Sequence, residues 1–427
     1  MIRLRTVLLA LMIPPLAAFA MDWEEAGLPC GGHLIVAGGD DGGWVSCVLA
    51  FPAGVSESAE TPATAHLALR LMLDAAGSGT SLAESLADLG WQARLEMSED
   101  VAMLILSGAS ENLEKLIGPI DRAIRNRTDF DTADLDRVRR ALETDYRRWE
   151  ANPEAKLRAL MARKLFGAHP YGAGRGHRPG SPPTADQVRT FLETRFSPGG
   201  MQILLAGDLV ARDALESWTS VLDRLEGPRP LRAKLPKPLY GKGRITGEPS
   251  PRGLLLVQLP GLPVDDPRAS QLALASGIIQ LLCEADLRDA GLARSVSSWY
   301  RFTADGPAAL EITLRGLGAE QLGMAEAVLD RILERLREGD FSEYMVISAK
   351  DRILQRLEIH SAQGELPSKG VVELAAWSAE TSRQALLLRG KRGNFESRLL
   401  LGNIGSISAF CSDWLLPEYA VVGVSMP

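Results

Sequence analysis

Leu86-Ala87-Asp88-Leu89-Gly90 and Leu287-Arg288-Asp289-Ala290-Gly291 are two versions of one five-residue phrase, 201 positions apart. Their surroundings match as well. After each glycine comes an extended segment (91–97, 292–300), a short polar turn and an apolar strand (101–106, 308–314). Each strand runs into a helix, 113–124 or 322–333, with Asp121-Arg122 and Asp330-Arg331 at the same place in each. The offset at the helices is 209, so the second copy carries a few extra residues in its hairpin. Self-similarity of this kind dictates architecture.

Working outward, each copy opens with strand-forming sequence, 33–37 and 44–51 in the first and 253–259 in the second, followed by a long helix. Each closes on an apolar strand, 200–206 or 419–424, after a helix and a proline-containing connection. The expected fold is α+β: two homologous halves, each a mostly antiparallel sheet with helices packed on one face. The proline-rich, basic stretch 227–242 reads as an extended linker between domains 21–226 and 243–427.

The 427 residues are 46% hydrophobic and 24% charged, which suits two or more globular domains and excludes a disordered or fibrous chain. Arg3 and Arg5, an apolar run over 7–20 and the ending Ala18-Phe19-Ala20 have the three regions of a secretory signal peptide, so residues 1–20 are expected to be removed and the chain to be periplasmic or secreted. The alternative is a membrane anchor, but the run is shorter than the roughly 20 residues needed to span and contains Pro14-Pro15. Cleavage removes two arginines and no acids, taking the formal charge from −7 to −9. Nucleic acid is therefore excluded as an expected partner. Cys30, Cys47, Cys283 and Cys411 lack C-x-x-C spacing. Cys30 and Cys47 could bridge the first strands or remain free thiols.

Thr61-Pro62 reads as an N-cap followed by proline at the first helical position, and 63–75 contains no helix breaker. On that helix stands His66-Leu67-Ala68-Leu69-Arg70. An H-x-x-E-H pattern would put two zinc ligands on one face, with a glutamate as general base. Only the first histidine is present. Leu69 cannot take a proton from a metal-bound water, and the always-protonated Arg70 has no lone pair to give and would repel a cation. Catalytic zinc needs three protein ligands and an open position, so no metal is assigned to this chain.

The whole mature chain resembles the pitrilysin/insulinase family of inverted-motif zinc peptidases, in particular the short bacterial members related to mitochondrial processing peptidase subunits. The resemblance rests on Phe51-Pro52-Ala53-Gly54, His66 and its helix, Gly79-Thr80, Leu89-Gly90, the segment Phe166-Gly167-Ala168-His169-Pro170-Tyr171-Gly172, and Ser197-Pro198 leading to Ala206-Gly207-Asp208, in family order. Residues 287–296 resemble the family segment LRxxxGLxYSV, one residue short and with Arg294 at the tyrosine. The resemblance implies two facing halves per chain, and two such chains forming a clam-like chamber around a peptide. It implies a third zinc ligand about 75 residues past the motif. Asp145 falls there, with a carboxylate one methylene shorter, and Glu143 stands two residues before it. It implies a substrate-orienting role for Arg288; the tyrosine partner is missing unless Tyr300 supplies it. Arg70 and Asp145 would come within reach of each other, a guanidinium replacing the divalent ion as counter-charge; the alternatives are a substrate-binding Arg70, and Asp145 and Glu143 as solvated acids on the charged helix that also bears Arg147 and Arg148.

The remaining histidines carry less. His169 and His177 lie eight apart in a glycine-rich loop that reads as a structural turn, His33 and His360 have no partner pattern, and Gly172, Gly174 and Gly176 lack the lysine of a phosphate loop. Three functions follow as expectations. The first is a non-catalytic subunit that pairs with a separately encoded, zinc-bearing homologue and grips extended peptide by strand addition at an open sheet edge. The others are an active zinc endopeptidase with an unusual ligand set and a stand-alone periplasmic peptide-binding or scaffold protein.

Overall fold

The computed structural model describes residues 21–39, 42–58, 63–77, 79–173, 182–230, 239–288, 290–301, 303, 308–359, 366 and 370–427. Residues 1–20, expected to be a signal segment, the expected Thr61-Pro62 cap, His177, His360, Gly174, Gly176 and Asp289 lie outside them, as does 231–238 of the expected linker. Eleven strands are seen among these residues: β1 (Asp22–Gly27), β2 (His33–Gly39), β3 (Trp44–Phe51), β4 (Gln92–Met97), β5 (Ala102–Ala109), β6 (Gln202–Asp208), β7 (Gly243–Thr246), β8 (Gly253–Pro260), β9 (Ser295–Arg301), β10 (Ala309–Leu317) and β11 (Val421–Ser425). The helices are α1 (Ala63–Asp74), α2 (Leu82–Asp88), α3 (Leu113–Arg125), α4 (Thr132–Glu150), α5 (Pro153–Phe166), α6 (Ala185–Thr194), α7 (Ala211–Leu222), α8 (Ala269–Cys283), α9 (Leu322–Glu338), α10 (Glu343–Ile359), α11 (Val371–Leu387), α12 (Arg392–Leu401) and α13 (Ile404–Trp414).

The strands form two sheets, β1-β2-β6-β3-β5-β4 and β7-β11-β8-β10-β9. All neighbours are antiparallel except β2 with β6 and β7 with β11. The two orders superimpose in sequence logic, β9 answering β4 and β10 answering β5. The α+β class with two repeated halves is thus the observed fold. The repeated phrase does the same work twice: Trp91 N–H donates to Leu86 C=O (2.8 Å) and Leu292 N–H to Leu287 C=O (2.9 Å). Gly90 and Gly291, at φ +71° and +70°, let the chain reverse from helix into strand. The longer second hairpin is also present, since β9 ends at Arg301 and β10 begins at Ala309, against Met97 and Ala102 in the first half.

Each half lays its own helices on one face of its sheet. On the first, α1, α3, α6 and α7 bury Leu67, Leu71, Ile120, Leu192 and Trp218 in one core with Val45, Leu49 and Leu104. The opposite face is covered by a helix of the other half. α11 sets Leu374, Ala375 and Trp377 on Val48, Ala50, Met103 and Leu204. Reciprocally, α5 sets Leu157, Met161 and Leu165 on Leu254, Leu256 and Val421 of the second sheet. Polar contacts follow the exchange. Gln202 of β6 donates to Ser382 C=O (3.1 Å), and Arg315 of β10 donates to Glu154 (2.7 Å). Among the described residues no helix is long and apolar enough to cross a membrane.

Candidate functional site

The degenerate motif stands where α1, α4 and the edge strand β4 meet. α1 turns Leu67, Ala68 and Leu71 into the core, leaving His66 and Arg70 half-buried toward α4. α4 is fixed at its start by a reciprocal cap: the Asp131 carboxylate accepts from Asp134 N–H at 2.7 Å. The Arg70 guanidinium reaches Asp74, one turn on, at 2.5 Å and Asp145 of α4 at 3.7 Å. Asp145 is shared with Arg148 (3.6 Å), while Glu143 pairs with Arg147 (3.4 Å). Leu69 is only 2% exposed, an apolar group where a proton acceptor would have to contact water. The His66 ring lies tilted beside Tyr146 with centroids 6.5 Å apart. Burial, with the Glu143 carboxylate nearby, pushes the Tyr146 phenol up from its usual range, so it remains a neutral O–H at physiological pH.

These side chains do not fit a zinc ion. Among the described residues no group of three His, Cys, Asp or Glu is placed to hold a metal. Arg70 brings a permanent positive charge to the carboxylate, Asp145, that a metal would need. What the arrangement can do is bind. Beside it runs a cleft of about 260 Å³ lined by Leu69, Leu95, Met97, Leu142, Tyr146 and Trp149, with His66, Glu96 and Asp145 as its polar margin. β4 forms one wall of it and is a sheet edge. Ser98 N–H donates to Val101 C=O (2.8 Å) to close the β4–β5 hairpin, so alternation turns the amides of Ala93, Leu95 and Met97 outward. Among the described residues no hydrogen bond covers these three amides.

Of the other sequence-predicted residues, Tyr300, His169 and His33 do not line this cleft. Arg288 ends a π turn, Glu284–Arg288, and its side chain is outside the described residues. Tyr300 is 5% exposed and donates its hydroxyl to Leu262 C=O. Burial and the nearby Asp266 and Asp265 hold that phenol far above its usual range, so it is a core residue and not a donor to substrate. His169 is buried, its Nδ1 accepting from Tyr171 N–H (3.1 Å), and the Tyr171 hydroxyl donates to Asp100 (2.6 Å): a structural turn. His33 lies 3.7 Å from Glu25, its pKa lowered by burial and then by Arg389. All four cysteines are free in this structure, and Cys47, Cys283 and Cys411 are buried. Sequence reasoning missed Asp74, although the i,i+4 spacing from Arg70 signals it, and missed the lining by Tyr146 and Trp149.

Residues 183–353 match the family described as Peptidase M16 inactive domain, a span running from the end of the first half into the second. No curated protein matches the chain. Many solved structures share its fold. The peptidase M16 inactive domain from Pseudomonas fluorescens is 20% identical, with 95% of this chain and 98% of that one covered at a TM-score of 0.72. A protease from Helicobacter pylori is 13% identical over 96% and 100%, at 0.72. A chain of complex III2 from Candida albicans is 13% identical over 94% and 95%, at 0.73. Residues 183–353 thus resemble a peptidase M16 inactive domain, and they lie within a fold that the chain shares over nearly its whole length with these structures.

Proposed function

We propose that this chain is a non-catalytic subunit of a periplasmic M16 metallopeptidase, exported by its N-terminal segment and paired with a homologue whose H-x-x-E-H motif is intact. Zinc belongs to that partner, and this chain contributes a wall of the shared chamber. Its own contact with substrate is main-chain pairing: an extended peptide adds to β4 through Ala93, Leu95 and Met97 while its side chains enter the Leu69–Trp149 cleft. The observation that carries this reading is Arg70, tied to Asp74 and Asp145 on the ground that a metal and its base would need. Losing general-base assistance alone removes about 10² to 10⁴ in rate, and a cation among the ligands removes the metal as well. A second reading, a stand-alone peptide binder, is favoured by the same open edge, which needs no partner to accept a strand.

Isolation of the native complex from the host's periplasm distinguishes them. The subunit reading expects an M16 chain with intact H-x-x-E-H in equal amount. Recovery of this chain alone, with peptide protecting the β4 amides from exchange, would replace it by the solitary binder.

A further inference from the structure

β9 occupies in the second sheet the place that β4 has in the first. It too is an edge strand, and a groove of about 340 Å³ lies between it, α8 and α10. Its edge is not open. Gln280, on the last turn of α8, lays its side-chain amide on the β9 backbone: Oε1 accepts from Ser298 N–H at 2.6 Å, and Nε2 donates to Val296 C=O at 3.1 Å. A residue of an added parallel strand would bond the same pair, donating to the carbonyl of one residue and accepting from the amide two positions on. The glutamine therefore stands in for one residue of a neighbouring strand.

The amide is held in that pose. Its Nε2 also donates to Glu284 (2.7 Å), and Glu284 is anchored by Arg352 of α10 at 3.3 Å. Because Ser298 N–H can only donate, Oε1 must face it, so the orientation of the amide is fixed by the network. Alongside, Arg356 stacks 4.3 Å over the Trp299 ring and Ser276 shares a 3.1 Å hydrogen bond with Ser298. Unpaired edges invite other strands, and sheet proteins close the ones they do not use.

We infer that Gln280 closes the β9 edge to strand pairing, by occupying it as a built-in surrogate strand. The inference rests on the reading that extended peptide is taken by strand addition, and its test separates the two. Amide exchange is measured residue by residue on the full chain, wild type against Gln280→Ala and Gln280→Leu, with and without a synthetic twelve-residue peptide of alternating valine and lysine. Leucine keeps the volume of the side chain and removes both bonds. In each variant Ser298 should exchange about tenfold faster without peptide. Peptide should then protect Ser298 in the variants and leave it unaffected in wild type. Unchanged exchange at Ser298, faster exchange without protection by peptide, or protection of Ser298 in wild type would each overturn the role of Gln280. Failure of peptide to protect Ala93, Leu95 and Met97 in wild type, with Ser298 captured in the variants, would overturn the β4 reading alone.

Discussion

Arg70 decides what this protein can be. A half-exposed ion pair contributes little to stability, about 0–1 kcal/mol, because water already screens it and two long side chains lose freedom in forming it. The pair with Asp145 is of that kind, at 30% and 48% side-chain exposure. Its weight is functional: it puts a fixed cation where a divalent ion would need to bind. Asp145→Asn should therefore lower stability by less than about 1 kcal/mol in urea titration, since Arg70 keeps Asp74. A larger loss would mean that the pair is a structural keystone. The pairing of Arg70 with Asp145 was legible in sequence through the family resemblance, which sets the two within reach. The role of Tyr300 was not: only the fold shows its hydroxyl consumed by Leu262 C=O.

At the scale of elements, the repeat was readable because the same local physics operates twice. Gly90 and Gly291 sit at the same left-handed turn, and each permits the same helix-to-strand hydrogen bond. Gly90→Ala and Gly291→Ala should each cost about 1 kcal/mol in thermal or chemical unfolding, and equally within error. A neutral effect at either site would remove the turn from the account. Two edge strands, β1 and β7, escaped the sequence reading because they are short, exposed and without an apolar run. The exchange of α5 and α11 also escaped it. The sign was present in β3, where 45–51 is buried without polar alternation, which demands cover on both faces. Which helix supplies that cover depends on contacts nearly 330 residues apart in sequence, and local pattern does not encode them.

For the whole molecule, helix exchange means that the linker does not separate two independent bodies. α5 carries Glu154 and Arg158 onto the second sheet, where Arg158 pairs with Glu311 and Gln258 donates to the same carboxylate at 2.9 Å. Burial raises the Glu311 pKa, but the Arg158 charge and these hydrogen bonds outweigh it, and the net shift is downward. A lowered folded pKa contributes stability above the ordinary glutamate value of about 4.3, and that contribution disappears as pH falls through the folded value. Unfolding should accordingly be a single transition at pH 7 that weakens below about pH 4, with Glu311→Gln less acid-sensitive than wild type. Two separate transitions at pH 7 would show that the halves fold alone.

Whether a metal can bind beside His66 is tested by the metal content of the full chain purified without chelator, measured together with cleavage of an unfolded polypeptide. With Arg70 in place, less than about a tenth of a zinc ion per chain is expected, the trace carried by a protein without a site, and no chelator-sensitive cleavage. One zinc per chain, lost together with peptidase activity on chelation, would contradict it.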